Sequence, residues 1–100
     1  MTKRTILSDA ILSSDILSTG QKKVLNIICS SDYPVSVKGI LDIMGSSKQA
    51  VHISIKSLLE RGFITRHKDR VFVYKPNKTR IAELETRYIQ KLSLKWFLTF

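Results

Sequence analysis

Arg66, His67, Lys68 and Arg70 crowd around a lone carboxylate, Asp69, in the run ITRHKDRVFVYK. Cations packed this closely repel one another and stabilise nothing locally, so the chemistry they offer is attraction for a polyanion. The concentration extends beyond the run. From Arg61 to Arg80 seven lysines and arginines face only Asp69, a net +6 out of +9 for the whole chain. An even scatter would serve solubility alone. The alternative to a polyanion partner is a solvated basic face with none.

Catalytic and metal chemistry have no comparable set. His52 and His67 fall on different predicted elements, and no Cys or carboxylate completes a ligand or nucleophile constellation around either. The run Ser46-Ser47-Lys48 has no general base beside it, and with four glycines the chain carries no phosphate-cradling loop or dinucleotide fingerprint. The single Cys29 cannot form an internal disulfide and sits in the apolar pattern of Val24, Leu25 and Ile28, which predicts a buried, inert thiol. No enzyme activity, cofactor or metal is expected. No apolar run approaches the ~18–20 residues of a membrane span, and the N-terminal residues do not form a signal-peptide core. The expected location is the cytoplasm.

Elements must position the basic cluster. One hundred residues, 43% apolar and 25% charged, suit one domain over 1–100 with a single core. Ile6, Leu7, Ala10 and Ile11 follow a helical period within residues 4–17, which the serines at 13 and 14 weaken. Ser18 and Gln21 have capping-box spacing ahead of the stripe Val24, Leu25, Ile28, and this helix should end near Ser30–Asp32, before Pro34. Ser36 is a good N-cap for a helix burying Val37, Ile40, Leu41 and Met44, which Gly45 stops. Ser46 and Gln49 repeat the capping-box spacing and open a helix with Val51, Ile55, Leu58 and Leu59 inward, closed by Gly62. Two β runs follow, Phe63–Arg66 and Val71–Lys75, with residues 67–70 as the connecting tip. A last helix should start near Asn77 or Thr79. Residues 92–100 fit either a strand or a helix face, and the lack of a turn signal favours the helix.

The predicted fold is therefore mainly α with a small β-hairpin (α+β), in the order of a winged helix-turn-helix. The stretch VSVKGILDIMGSSKQAVHISIKSLLERGFITR resembles the core of MarR-like and related winged-helix transcriptional regulators. There a short helix leads through a Gly-Ser turn into a recognition helix ending in a Leu-Glu-x-x-Gly-apolar-Ile type signature. The equivalents are Leu58, Leu59-Glu60-Arg61, Gly62, Phe63 and Ile64, and the resemblance covers about residues 18–75. It implies that the helix of residues 47–61 enters the major groove of double-stranded DNA and that the hairpin tip, 66–70, reaches the minor groove or phosphates. It also implies a homodimer formed through the terminal segments, 4–17 and 78–100.

With Val51, Ile55 and Leu58 inward, Gln49, His52, Ile53, Lys56 and Glu60 point outward. Ser46, Ser47 and Lys48 lie at the helix N-terminus, where free N–H groups favour a phosphate. Gln49 either reads adenine or completes the capping box; Lys48 and Lys56 reach guanine or phosphate, or are solvated. His52 can bond a base or phosphate, sense pH, or be an ordinary surface histidine. Ile53 departs from the family pattern, which often places a polar side chain there. It contacts a thymine methyl, or packs on another helix if the register is off by one. Tyr88, Trp96, Phe97, Leu98 and Phe100 call for a partner unless the terminal segments cover their own core. The functional expectation is a dimeric transcriptional regulator. The alternatives are an architectural DNA-coating protein (plasmid, viral or chromatin) and a protein-interaction winged helix, against which the basic tip argues. Any effector is expected at a dimer interface.

Overall fold

In the computed structural model, which describes residues 3–99 and the side chains of residues 7–94, the chain alternates helices with a small sheet. The order is α1 (Lys3–Leu12), α2 (Thr19–Ser30), β1 (Val35–Ser36), α3 (Val37–Met44), α4 (Lys48–Glu60), β2 (Ile64–Asp69), β3 (Val71–Pro76) and α5 (Lys78–Thr99). The sheet is antiparallel with β3 in the middle. Val35 lies opposite Tyr74 on one side of it, and Ile64 opposite Pro76 on the other.

Helix boundaries follow the side chains that can satisfy their free backbone groups. Ser18 Oγ accepts from the Gln21 N–H (3.2 Å) while Gln21 Oε1 accepts from the Ser18 N–H (3.1 Å), so the predicted capping box forms. Ser36 Oγ accepts from the Gly39 N–H at 3.1 Å. Gly45 ends α3 at φ 67°, its N–H donating to the Leu41 carbonyl. At α4 the expectation shifts by one residue. Ser47, not Ser46, is the cap, its Oγ accepting from the Ala50 N–H at 3.2 Å, and Gln49 takes no part in a capping box. The far end of α4 closes with two bonds, Phe63 N–H to the Leu58 carbonyl and Gly62 N–H to the Leu59 carbonyl. This Schellman arrangement needs a left-handed residue, and Gly62 supplies it at φ 77°.

Two further expectations are revised, and one short strand is added. Helix α1 stops at Leu12 because the Ser13 hydroxyl donates back to the Asp9 carbonyl (2.6 Å) and the Ser14 N–H turns to the Ile11 carbonyl. Ile16 and Leu17 nevertheless reach the core from the following loop. The hairpin has almost no loop: β2 continues through His67, Lys68 and Asp69, and Arg70 alone joins Asp69 to its partner Val71. Strand β1 was not anticipated, since two residues carry no readable period. The ambiguous C-terminal stretch is helical through Thr99.

One core unites these elements. Val24, Leu25 and Ile28 of α2 meet Ile40 of α3 and Val51, Ile55 and Leu58 of α4. Ile64 and Tyr74 cover it from the sheet, Phe63 from the turn before β2, and Ile11, Ile81 and Leu84 from α1 and α5. Ser54 is buried too, where α2 passes close: a Cβ at Gly20 would lie 3.0 Å from the Ser54 hydroxyl. Beyond Leu84, helix α5 leaves the core, and Ile89, Leu92 and Leu94 are exposed. The side chains of Ile6, Trp96, Phe97, Leu98 and Phe100 lie outside the described residues.

Candidate nucleic-acid interface

Helix α4 divides its residues as the 100° rotation per residue requires. Val51, Ser54, Ile55 and Leu58 face the core, while Gln49, His52, Ile53, Lys56 and Glu60 are exposed. Ile53 is 62% exposed, so it does not pack on another helix of this chain. Ser46, Ser47 and Lys48 are exposed at the N-terminus. The Lys48 and Gln49 N–H groups there have no intrahelical acceptor. Glu60 lies about 18 Å away along the axis, so its charge is remote from that end.

The hairpin sorts its side chains by the two-residue period. Arg66 and Lys68 lie opposite Tyr74 and Phe72 on one face; Thr65, His67 and Asp69 lie opposite Lys75, Val73 and Val71 on the other. Burial falls from Ile64 outward, and Arg66, His67, Lys68, Asp69 and Arg70 are all exposed. The Arg66 guanidinium carbon sits 4.4 Å and the Lys68 Nζ 5.6 Å from the Phe72 ring centroid. His67 Nε2 is 3.3 Å from Thr65 Oγ1. At the tip Arg70 adopts φ 63°, a left-handed conformation that costs a non-glycine residue roughly 1–2 kcal/mol.

Helix and hairpin meet across a groove of about 590 Å³. Lys48 and His52 line it from α4, Val71 and Phe72 from β3, and Lys38, Leu41 and Asp42 from α3. The N-terminal half of α4 and the hairpin thus face one groove, with Lys38, Lys48 and His52 along a largely apolar lining that also holds Asp42.

Two cations of the basic stretch have other employment. Arg61 is half-buried, and its Nη1 donates to Gln21 Oε1 at 3.0 Å. Gln21 Nε2 in turn donates to the Ser57 hydroxyl at 2.6 Å. Arg80 Nε donates to the Arg61 carbonyl, its Nη1 pairs with Glu83, and both guanidinium groups lie over the buried Phe63 ring. This network ties the C-terminal end of α4 to α2 and α5. In the sequence Arg61 and Arg80 stand with the polyanion-binding charge, and nothing there singles out Phe72. The alternation of Phe72 with Tyr74 is visible in the sequence, but which cations share its face depends on the strand register.

Cys29 is half-buried against the core, and burial, with Glu85 adding, pushes its thiol from 9.0 up to about 12. It is a poor nucleophile at neutral pH. Among the described residues no three His, Cys, Asp or Glu side chains come together as metal ligands. Nor is any helix among them long and apolar enough to cross a membrane.

Known proteins share this fold. The model of the MarR family matches residues 15–71, more than half of the chain. No curated protein sequence matches it. Among solved structures, the ST1889 protein of the thermoacidophilic archaeon Sulfolobus tokodaii superposes with a TM-score of 0.67 at 22% identity, over 94% of this chain and 98% of that one. A MarR/EmrR family transcriptional regulator from Acinetobacter sp. ADP1 gives 0.62 at 19%, covering 93% and 69%. S. aureus MepR, solved with ethidium bromide bound, gives 0.63 at 13%, covering 98% and 75%. At these identities the likeness is one of fold.

Proposed function

The chain belongs to the MarR family, and from that premise we propose that it is a dimeric transcriptional regulator that reads double-stranded DNA with α4 and grips it with the β2–β3 hairpin. Membership itself implies a DNA-binding regulator, not an enzyme. The finer reading is that Gln49, His52, Ile53 and Lys56 face base edges in the major groove, while Ser46, Ser47 and Lys48 bring the helix N-terminus to a phosphate. Arg66, His67, Lys68 and Arg70 follow the adjacent minor groove or its phosphates. α1 and α5 carry the homodimer contact, and the protein works in the cytoplasm on DNA.

The observation that carries this reading is Arg70. Glycine would occupy a left-handed hairpin tip without strain, yet an arginine stands there with three exposed basic neighbours within four residues. Strain of this kind persists where the side chain has work to do. The exposed Ile53 favours a second reading, an architectural protein with little sequence preference, because an isoleucine can mark only a thymine methyl.

Replacing Arg66, Lys68 and Arg70 by alanine tests the grip. The slope of log affinity against log salt should fall by about 2.7, roughly 0.9 for each phosphate that is no longer neutralised. Unchanged affinity and slope would contradict it.

A further inference from the structure

Phe72 is 45% exposed on the hairpin, a position where an aromatic ring gains little from burial. Its cross-strand partner is Lys68, and Arg66 lies diagonally from it on the same face. Both side chains turn to the ring, the guanidinium carbon at 4.4 Å from its centroid and the ammonium nitrogen at 5.6 Å. Left to themselves, two long cationic side chains two residues apart would repel and sample many rotamers. The negative faces of an aromatic ring attract both.

We infer that Phe72 is a positioning residue for DNA binding, holding Arg66 and Lys68 side by side in the arrangement that the phosphate backbone meets. The inference rests on the reading of the hairpin as a DNA-contacting wing. A carboxylate in this place would also order the two cations, but it would cancel the charge that a phosphate needs. The neighbouring carboxylate, Asp69, belongs to the opposite face of the hairpin by strand alternation. An aromatic ring orders the cations and leaves their charge intact. Ordering them before DNA arrives removes part of the entropy cost that binding would otherwise carry. Phe72 also lines the groove that Lys48 and His52 line from α4.

The test measures duplex binding as a function of salt for Phe72→Leu and Phe72→Tyr in the full chain. Leucine keeps an apolar side chain without the ring's negative face, so binding should weaken about fivefold while the salt slope stays unchanged, because every charge remains. Tyrosine should bind within about twofold of wild type. In a chain already carrying Arg66→Ala and Lys68→Ala, Phe72→Leu should have no further effect. A loss of the same size in that background, or wild-type binding by Phe72→Leu, overturns the inference. The geometry has a readout free of DNA: the Lys68 side-chain protons should show upfield ring-current shifts in NMR spectra that vanish in Phe72→Leu. Absence of those shifts in the wild type also overturns it. Failure of the wild-type protein itself to bind any duplex at low salt overturns the wing reading instead, and is distinguished by that control.

Discussion

If Arg70 grips DNA as proposed, it places stability and function in opposition. Its backbone lies at φ 63°, where glycine is at ease and arginine is not. Arg70→Gly should therefore raise stability in urea unfolding, by up to about 1 kcal/mol, while weakening DNA binding and lowering the salt slope by about 0.9. A variant that lost both stability and affinity would point to a structural arginine. Cys29 offers the contrasting case of a side chain without a task at the interface. With its thiol pushed from 9.0 up to about 12, it stays protonated in the folded chain at neutral pH and should react with a thiol reagent far more slowly than it does in the unfolded chain. The sign at high pH follows from the same shift. The unfolded chain loses this proton first, so the stabilising contribution is complete below about pH 9 and is lost as pH rises toward 12. Cys29→Ala should flatten that part of the stability–pH curve relative to wild type. An unchanged slope would show that the thiol is not held as described.

Caps decide the elements that present the interface, and α4 gives the sharpest case. Ser47→Ala removes the acceptor for the Ala50 N–H and should cost about 1 kcal/mol in thermal or urea unfolding. Ser46→Ala, one residue before it, should cost almost nothing; equal losses would mean that both serines share the cap. From the sequence Ser46 and Ser47 are both competent caps, and only the path of the chain after Gly45 chooses between them. Elsewhere local chemistry was enough. The Ser18–Gln21 box, the Ser36 cap and the glycines at 45 and 62 are each set by the backbone groups of their own turn, so reading them required no tertiary knowledge. The hairpin was harder, because His67, Lys68 and Asp69 look like loop by composition, while pairing with β3 holds them as strand. Strand β1 exists only through its partners Tyr74 and Val73. The same division holds at the interface. The outward face of α4 was legible because Val51, Ile55 and Leu58 fix its rotation. The contacts of Phe72, Arg61 and Arg80 were not, since each depends on a partner brought near by folding.

The whole molecule measures 54 × 24 × 22 Å, long for its mass because α5 continues past the core. Along that projection Ile89, Leu92 and Leu94 are exposed, apolar side chains that a monomer would leave in water. A two-fold dimer through α5 would bury it and set two copies of α4 about 34 Å apart, matching successive major grooves on one side of a near-palindromic operator. Ile89→Glu combined with Leu92→Glu should then yield a monomer in sedimentation and weaken operator binding by about tenfold or more. A protein that stays dimeric would relocate the interface. The charge of the molecule, +9 with the wing as its densest part, predicts strong salt dependence but not sequence preference by itself. The measurement that tests the central claim most directly is therefore a fluorescence anisotropy titration of the DNA upstream of its own gene and of a scrambled duplex, each at several salt concentrations. A sequence-specific regulator predicts a preference of about 10³-fold or more for the upstream DNA, on top of a shared salt dependence. Equal affinities that fall together with salt would replace the regulator with an architectural protein, and no binding to either duplex at low salt would contradict the account outright.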